Sequence, residues 1–404
     1  MTIGVAVIGA GMAGRGHAAA YRIANSLYDT NLPPIRLVSI GDVNPAFGKI
    51  AAEKYGYERT DSDWRAIADD KSIDAVSVVV ANHLHREIVE GLLSAGKHVL
   101  CEKPLADTME SAKAMVAAAK GSKTISSIGL TFLRNPGIAA AANIVASGQL
   151  GKVVHFSARY LCDYSIDPSS PMSWRYKGGL GTGALADLGS HLVYLVEFVT
   201  GSVMKSISGA RFETVITKRP VATGAVFGHE KAAVSDTFEA VENDDFSAFT
   251  VNLADAAGSV EISRVAAGHP NTLAFEIYCE KGAVAFDLRT NGQFQLMIND
   301  GDHSQRGWRT VQLGPSHPYF AGGFPVDAPG VGVTQNDQFY FQNRAFLQQV
   351  AGLPETAALP FCPNFDDGLH NMEIIDTAVQ SFHKNGTAVE VPSARPTYLR
   401  KLDK

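Results

Sequence analysis

The chain has 404 residues, more than one hydrophobic core usually organises, so about two domains are expected. Hydrophobic residues at 46% and charged residues at 19% support packed cores and exclude long disordered stretches. The formal net charge of -6, with no dense run of Lys and Arg, excludes a nucleic-acid backbone as partner, and no apolar run reaches membrane-spanning length. Cys101, Cys162, Cys279 and Cys362 are scattered, with no zinc-like spacing and too few to staple a secreted domain. No metal site is therefore expected, and a reducing cytoplasm is the expected setting. The opening MTIGVAVIGAGMAG lacks the basic segment of a signal peptide and reads as a first strand.

In chain order, short β-branched runs alternate with helical patterns, as in a parallel sheet of βαβ units. Ile3 to Ile8 is the first strand, Ala13 to Leu27 a helix, and Leu37 to Ile40 a second strand after the Tyr28 to Pro34 insertion. Asn44 and Pro45 take N-cap and first-turn positions of the next helix. Ala75 to Val80 is an apolar run suited to a central strand covered on both faces. A helix from Arg86 to Ala95 closed by Gly96 and a strand from His98 to Cys101 follow, and Thr124 to Gly129 is expected as the sixth strand of a doubly wound sheet. Beyond about Val153, strands come in a row: Val153 to Tyr160, Ala248 to Leu253, Ser259 to Arg264, Leu273 to Cys279 and Ala283 to Leu288. Strands in succession predict an open, mainly antiparallel sheet. Helices are expected from Gly183 to Thr200, Asn336 to Val350 and Asp367 to His383, and surface loops from Arg219 to Val234 and Pro315 to Gly332. The fold class is thus an α/β Rossmann domain, residues 1–131, followed by an α+β domain, residues 132–404, for substrate binding and oligomerisation. The later helices are too few to cover both faces of its sheet, so the open face is expected to pack against another subunit in a homodimer or homotetramer.

Three constellations carry chemistry. Gly9-Ala10-Gly11-Met12-Ala13-Gly14 follows a strand and opens a helix, where glycines allow a tight turn and close approach to a pyrophosphate. Asp42 ends the second strand, where its carboxylate can bond ribose hydroxyls and would repel a 2'-phosphate, so NAD is favoured over NADP. It lies further from the glycines than the usual spacing of about 20 residues, and the insertion accounts for the excess. Glu102-Lys103-Pro104 places an ammonium at the carboxyl edge of the sheet, where ligands of such sheets bind. A lone lysine is by default an exposed loop residue; the strand-end position favours function, with Lys103 facing the nicotinamide and polarising a substrate hydroxyl. Asp187 and His191, four apart on a helix, share one face and can converge on one hydroxyl, although the same spacing also makes surface pairs and caps.

These motifs, with Ala81-Asn82-His83-Leu84-His85 and Glu276-Ile277-Tyr278-Cys279-Glu280-Lys281-Gly282, resemble the Gfo/Idh/MocA oxidoreductases over nearly the whole chain. The resemblance implies that Lys103, Asp187 and His191 surround the hydroxyl to be oxidised. It further implies that Ala81, Asn82, His85 and Glu102 join Gly9, Gly11, Met12, Ala13, Asp42 and Lys103 at the cofactor. Tyr160-Leu161-Cys162-Asp163-Tyr164, Asp167-Pro168 and Ser173-Trp174-Arg175 are similar to the subgroup of levoglucosan, glucoside and inositol dehydrogenases. Phe132 stands where that subgroup commonly has tyrosine and Cys162 where it has glutamine, so two sugar contacts are missing. Phe132, Tyr164, Trp174 and Arg175 are the candidate substrate contacts, with packing in the core as the competing role for Trp174. The expected reaction is oxidation of a secondary alcohol of a sugar or polyol by NAD, with His191 as base, since imidazole titrates near pH 6.5. Two alternatives stay open: an enzyme that recycles permanently bound NAD within each turnover, and a cofactor-binding sensor without catalysis.

Overall fold

The computed structural model describes residues 2–28, 31–224, 233–356, 358–392 and 395–399. The chain folds into two compact units, Met1–Pro136 with Leu313–Leu369, and Gly137–Gln312 with His370–Lys404.

The first unit is built on a parallel sheet of β1 (Ile3–Ile8), β2 (Ile35–Gly41), β3 (Ala75–Val78), β4 (His98–Glu102) and β5 (Ser126–Gly129), in the order β2-β1-β3-β4-β5. β1 and β3 are buried along their whole length, as their near-continuous apolar sequences require, with Ser77 the one polar side chain of β3. The run at Thr124 to Gly129 is the fifth strand and not the sixth. After it the chain enters a 3-10 turn at Thr131–Arg134, and among the described residues no sixth strand joins this sheet. Asn44 caps the helix Pro45–Tyr55 as expected, its side chain accepting the Ala46 N–H at 3.0 Å. Gly96, at φ 76°, takes the left-handed turn that ends the helix His85–Ser94.

The division at residue 131 assigns 313–369 to the second domain, but the chain returns there to the first unit. The reason is the helix Gln335–Val350, which packs on the helix Met12–Ile23. A Cβ on Gly16 would lie 3.1 Å from the Phe339 ring, so the glycine permits the close crossing. Two loop expectations also change. In Pro315 to Gly332, Tyr319, Phe320, Phe324 and Val326 are buried, in an aromatic cluster with Tyr28 and Phe341. Gly and Pro there signal irregular backbone, which the aromatics nevertheless bury. Within the Tyr28 to Pro34 insertion, residues 29 and 30 lie outside the described set, while Tyr28 is packed and donates its hydroxyl to the Tyr319 carbonyl at 2.6 Å.

The second unit carries a mixed sheet of β6 (Val153–Leu161), β7 (Ser206–Glu213), β10 (Phe246–Asn252), β11 (Ala257–Ser263), β12 (Thr272–Cys279), β13 (Gly282–Asp287), β14 (Gln293–Ile298), β15 (Arg309–Gln312) and β16 (Val389–Glu390). The order is β15-β14-β13-β12-β6-β11-β10-β7-β16, and every pairing is antiparallel except β6 with β11. The helix Ser190–Thr200 packs against β6 and β12. Ser157 and Arg159, Ser259 and Glu261, and Glu276 alternate with buried apolar residues and form an exposed polar face, with Arg159 opposite Glu261 and Ser157 opposite Glu276. The expected surface loop from Arg219 to Val234 is partly a strand pair: β8 (Lys218–Ala222) and β9 (Val234–Ala240) form a separate two-stranded sheet, and Arg219 is buried. Residues 225–232 of that stretch lie outside the described set. Among the described residues no helix is long and apolar enough to cross a membrane.

Candidate active site

Each unit holds its own group of candidate residues. In the first, Gly9 has φ 106°, and a Cβ there would lie 2.0 Å from the Val79 carbonyl oxygen. A Cβ on Gly14 would lie 1.8 Å from the Gly9 carbonyl oxygen. Side chains are thus forbidden at both positions by backbone. At Gly11 the restriction is different, because a Cβ would meet no atom within 4 Å. That open space lies at the start of the helix Met12–Ile23, whose first turn has no acidic residue and no side-chain cap, so its N–H groups remain to meet an anion. Ala13 is half-buried in the same turn. Met12 is 77% exposed and Val43, a position not singled out from sequence, is 84% exposed. The Asp42 carboxylate accepts the Ala10 N–H at 2.8 Å through one oxygen and the Asn44 N–H at 2.8 Å through the other. It therefore joins the glycine turn to the end of β2. A carboxylate has about four acceptor positions, so lone pairs remain for a ribose diol. The turn and the carboxylate fit the pyrophosphate and ribose of a dinucleotide.

Ala81 and Asn82 are half-buried at a 3-10 turn, Asn82–Leu84, beyond β3. His85 is turned inward. It is buried, with Nε2 3.1 Å from the Val80 carbonyl oxygen and Nδ1 3.1 Å from that of Pro104 and 3.2 Å from that of Leu105. Burial lowers its pKa while the three carbonyls oppose the fall, and the ring lies between two strand-end loops, with one nitrogen donating to a carbonyl in the neutral form. Lys103 follows β4, half-buried, and is joined to Pro104 by a cis peptide. The Glu102 side chain, 12% exposed, also turns inward, where it meets His17 at 2.9 Å. Phe132 is 2% exposed, a packed ring in the Thr131–Arg134 turn that offers no free surface to a sugar.

In the second unit a π-helical turn, Leu185–Gly189, carries Asp187 and leads directly into the helix that starts at Ser190 and carries His191. Such turns widen a helix locally and recur at functional sites. Asp187 accepts the Tyr164 hydroxyl at 2.7 Å and lies 3.6 Å from Arg175 Nη1. Burial first, and then the Asp187 carboxylate, push the Tyr164 hydroxyl well above the ordinary tyrosine range, so it acts as a donor to Asp187 and is a poor base. His191 Nδ1 is 3.2 Å from the Tyr194 hydroxyl. Trp174 is 48% exposed, which rules out the core role, and the Arg175 guanidinium lies 4.6 Å from its ring centroid. Tyr164, Asp187, Arg175 and Trp174 are therefore linked contact by contact.

What organises this group was missed in the sequence. Asn243, Asp244 and Asp245 are consecutive and all fully buried. Asn243 Nδ2 donates to the carbonyls of Arg175 at 3.0 Å and Lys177 at 3.1 Å. Asp244 accepts the N–H groups of Gly181 at 2.8 Å, Gly183 at 3.1 Å and Leu185 at 2.8 Å, anchoring the entry to the turn that bears Asp187. Burial raises its pKa, and those same N–H groups oppose the rise. A Cβ on Gly183 would lie 2.2 Å from the Asp244 carbonyl oxygen, so only glycine fits there. Asp245 pairs with the buried Arg264 at 2.8 Å. Arg264 and Arg219 both contact the ring of Tyr176, at 4.8 and 4.1 Å from its centroid. Arg219 also donates to the carbonyls of Ser165 at 2.6 Å and Asp167 at 2.8 Å, so the loop holding Tyr164, Trp174 and Arg175 is braced from beneath. Three polar residues in a row read as a surface turn; only the fold shows that each has a buried partner.

Among the described residues no group of three or more His, Cys, Asp or Glu is placed to hold a metal ion. Residues 3–130 match the family model described as an oxidoreductase family with an NAD-binding Rossmann fold, and residues 138–285 match the GFO/IDH/MocA C-terminal domain. The chain is 34% identical over 400 residues to levoglucosan dehydrogenase of Pseudarthrobacter phenanthrenivorans, covering 96% of this chain and 98% of that protein. It is 25% identical to inositol 2-dehydrogenase of Rhizobium meliloti, covering 94% and 97%. Among solved structures, levoglucosan dehydrogenase in complex with NADH and levoglucosan superposes with a TM-score of 0.86 at 31% identity, covering 97% of this chain and 100% of that one. With whole-length similarity and both domain models matched in order, the chain belongs to the Gfo/Idh/MocA family of oxidoreductases, and its first unit is that family's NAD-binding Rossmann domain.

Proposed function

We propose that the protein oxidises a secondary hydroxyl of a sugar, glycoside, anhydrosugar or inositol with NAD as hydride acceptor. The observation that carries this reading is the linked group in the second unit: Asp187, held by Tyr164 and Arg175, continues into an exposed Trp174 surface of the kind that carbohydrate rings cover. The substrates for which the relatives are named, levoglucosan and inositol, support the same class. NAD, when bound, supplies the hydride chemistry. The chain's own residues do the rest. Gly9, Gly11 and the open helix start receive the pyrophosphate, and Asp42 takes the ribose diol. Lys103 orients the hydroxyl through its ammonium, and His191 accepts the hydroxyl proton. In the tautomer that donates Nδ1–H to the Tyr194 hydroxyl, Nε2 carries the lone pair that this step needs. The test is NAD reduction against inositols, hexoses, glycosides and anhydrosugars including levoglucosan. At least one should give sustained NADH formation. A protein that carried NAD through purification and formed no free NADH with any of them would overturn the reading in favour of a recycled cofactor.

Cofactor preference is the first expected consequence. NAD should be used more efficiently than NADP, because the Asp42 carboxylate accepts from a diol and repels a phosphate. Asp42→Ser should narrow the difference in kcat/KM between the two. Since Asp42 also joins the glycine turn to β2, the variant should lose some efficiency with NAD as well. A wild-type preference for NADP would reverse this account of Asp42.

Assembly is the second. The exposed face of the large sheet alternates Ser, Arg and Glu across β6, β11 and β12, and we propose that it packs against another copy of the chain in a homodimer or homotetramer. Light scattering at working concentration should give a multiple of the chain mass; a monomer would refute the proposal.

A further inference from the structure

A buried polar cluster in the first unit plays no part in the reaction as written above. His17, from the helix Met12–Ile23, is fully buried. Its Nε2 is 2.9 Å from Glu102 Oε1, and its Nδ1 is 3.0 Å from Ser77 Oγ and 3.2 Å from Asn343 Nδ2. An amide nitrogen only donates, so Nδ1 is the acceptor and Nε2 carries the N–H that reaches the Glu102 carboxylate. The second carboxylate oxygen accepts the main-chain N–H of Lys103 at 3.3 Å. On the remaining side lies Gly129, paired with Glu102 across β4 and β5, where a Cβ would come within 2.5 Å of Glu102 Oε1. The carboxylate is thus enclosed by a histidine, by its own main chain and by a bare glycine.

The far member of the cluster is Tyr21, whose hydroxyl lies 2.7 Å from Ser77 Oγ, and Tyr21 is buried with its pKa raised by that burial. At this end the cluster stops at a buried hydroxyl, and what its contacts fix is the place of the Glu102 carboxylate. We propose that His17 and Gly129 are positioning residues for Lys103: they hold the Glu102 carboxylate, which fixes the main chain from which Lys103 departs and so the direction of its ammonium. The inference rests on the reading of Lys103 as a catalytic group.

Substitutions separate this role from simple packing. His17→Gln places an amide N–H near the position of Nε2 and keeps the contact with Glu102. His17→Asn reaches only the position of Nδ1, His17→Ala reaches neither, and Gly129→Ala pushes the carboxylate from the opposite side. Turnover is measured with levoglucosan or the panel sugar used fastest, NAD affinity by fluorescence titration, and folding by thermal melting. A second readout needs no substrate: the acetylation rate of Lys103 by an N-hydroxysuccinimide ester, followed by peptide mass spectrometry. His17→Ala, His17→Asn and Gly129→Ala should lower kcat by about tenfold to a hundredfold, as displacement of a reacting group does, without a matching loss of NAD affinity. The same three should label faster at Lys103, and His17→Gln should resemble the wild type in both assays. If all four variants lost activity only in step with melting, with Lys103 labelling unchanged, the positioning role would be refuted. Lys103→Met is the control. Normal turnover in that variant would remove the catalytic reading while labelling still decided the positioning. An inactive Lys103→Met beside a normal His17→Ala would sink the positioning inference alone.

Discussion

His191→Ala is expected to lower kcat by about a hundredfold to ten-thousandfold with any alcohol substrate, the usual contribution of a positioned general base, while NAD binds as before. Affinity should survive because His191 lies in the second compact unit, whereas the glycine turn and Asp42 belong to the first. Asp187→Asn should cost less. An asparagine can still accept the Tyr164 hydroxyl through its carbonyl, but it loses the charge that faces Arg175 at 3.6 Å. Steady-state kinetics with fluorescence titration of NAD on each variant checks the order. Near wild-type turnover in His191→Ala would remove it as the base. Tyr164 would be a weak replacement, since burial and Asp187 raise its hydroxyl well above neutrality.

Asp245→Ala should be the most destabilising single change beneath the second group. Asp245 and Arg264 are both buried, 2.8 Å apart, and removal of the carboxylate leaves a guanidinium in the interior without its ion-pair partner. Breaking such a pair costs about 3–5 kcal/mol, against about 0–1 kcal/mol for exposed pairs. Arg264 keeps hydrogen bonds to Asn243 at 2.8 Å and to the Arg175 carbonyl at 3.0 Å, so some of the loop should persist near the midpoint of unfolding. Denaturant unfolding followed by tryptophan fluorescence would show the shift, with Trp174 as a local reporter. A loss below about 1 kcal/mol would mean that water reaches Arg264 and that the pair behaves as a surface one.

Local pattern made the first sheet legible. Its strands are short apolar runs closed by glycine, Asn-Pro or Glu-Lys-Pro, and each such signal acts within a few residues of the strand it ends. The glycine turn was legible from its local spacing, and at Gly14 the excluding atom is local too, the Gly9 carbonyl oxygen, whereas at Gly9 it belongs to the distant Val79. His85 shows where this reasoning stops. A histidine beside a strand end resembles a ligand contact, and only the carbonyls of Val80, Pro104 and Leu105 around it show that it is turned inward. The helix at 335–350 was legible but its unit was not, since Gln338, Gln342, Asn343 and Arg344 are buried in the first unit and polar residues carry no apolar pattern that would show it. Asn243, Asp244 and Asp245 were illegible because their partners lie 19 to 68 residues away in sequence, and polar pairing, unlike hydrophobic periodicity, leaves no repeat to read.

The helix Gln335–Val350 has one more consequence. Because the dinucleotide-binding unit is completed by residues encoded more than 170 positions after its last strand, it cannot be transferred between proteins as one continuous stretch of gene. A recombination that exchanged only the first third of the chain would join a new Met12–Ile23 helix to an old Phe339 and Asn343, so the two segments are bound to change together or not at all.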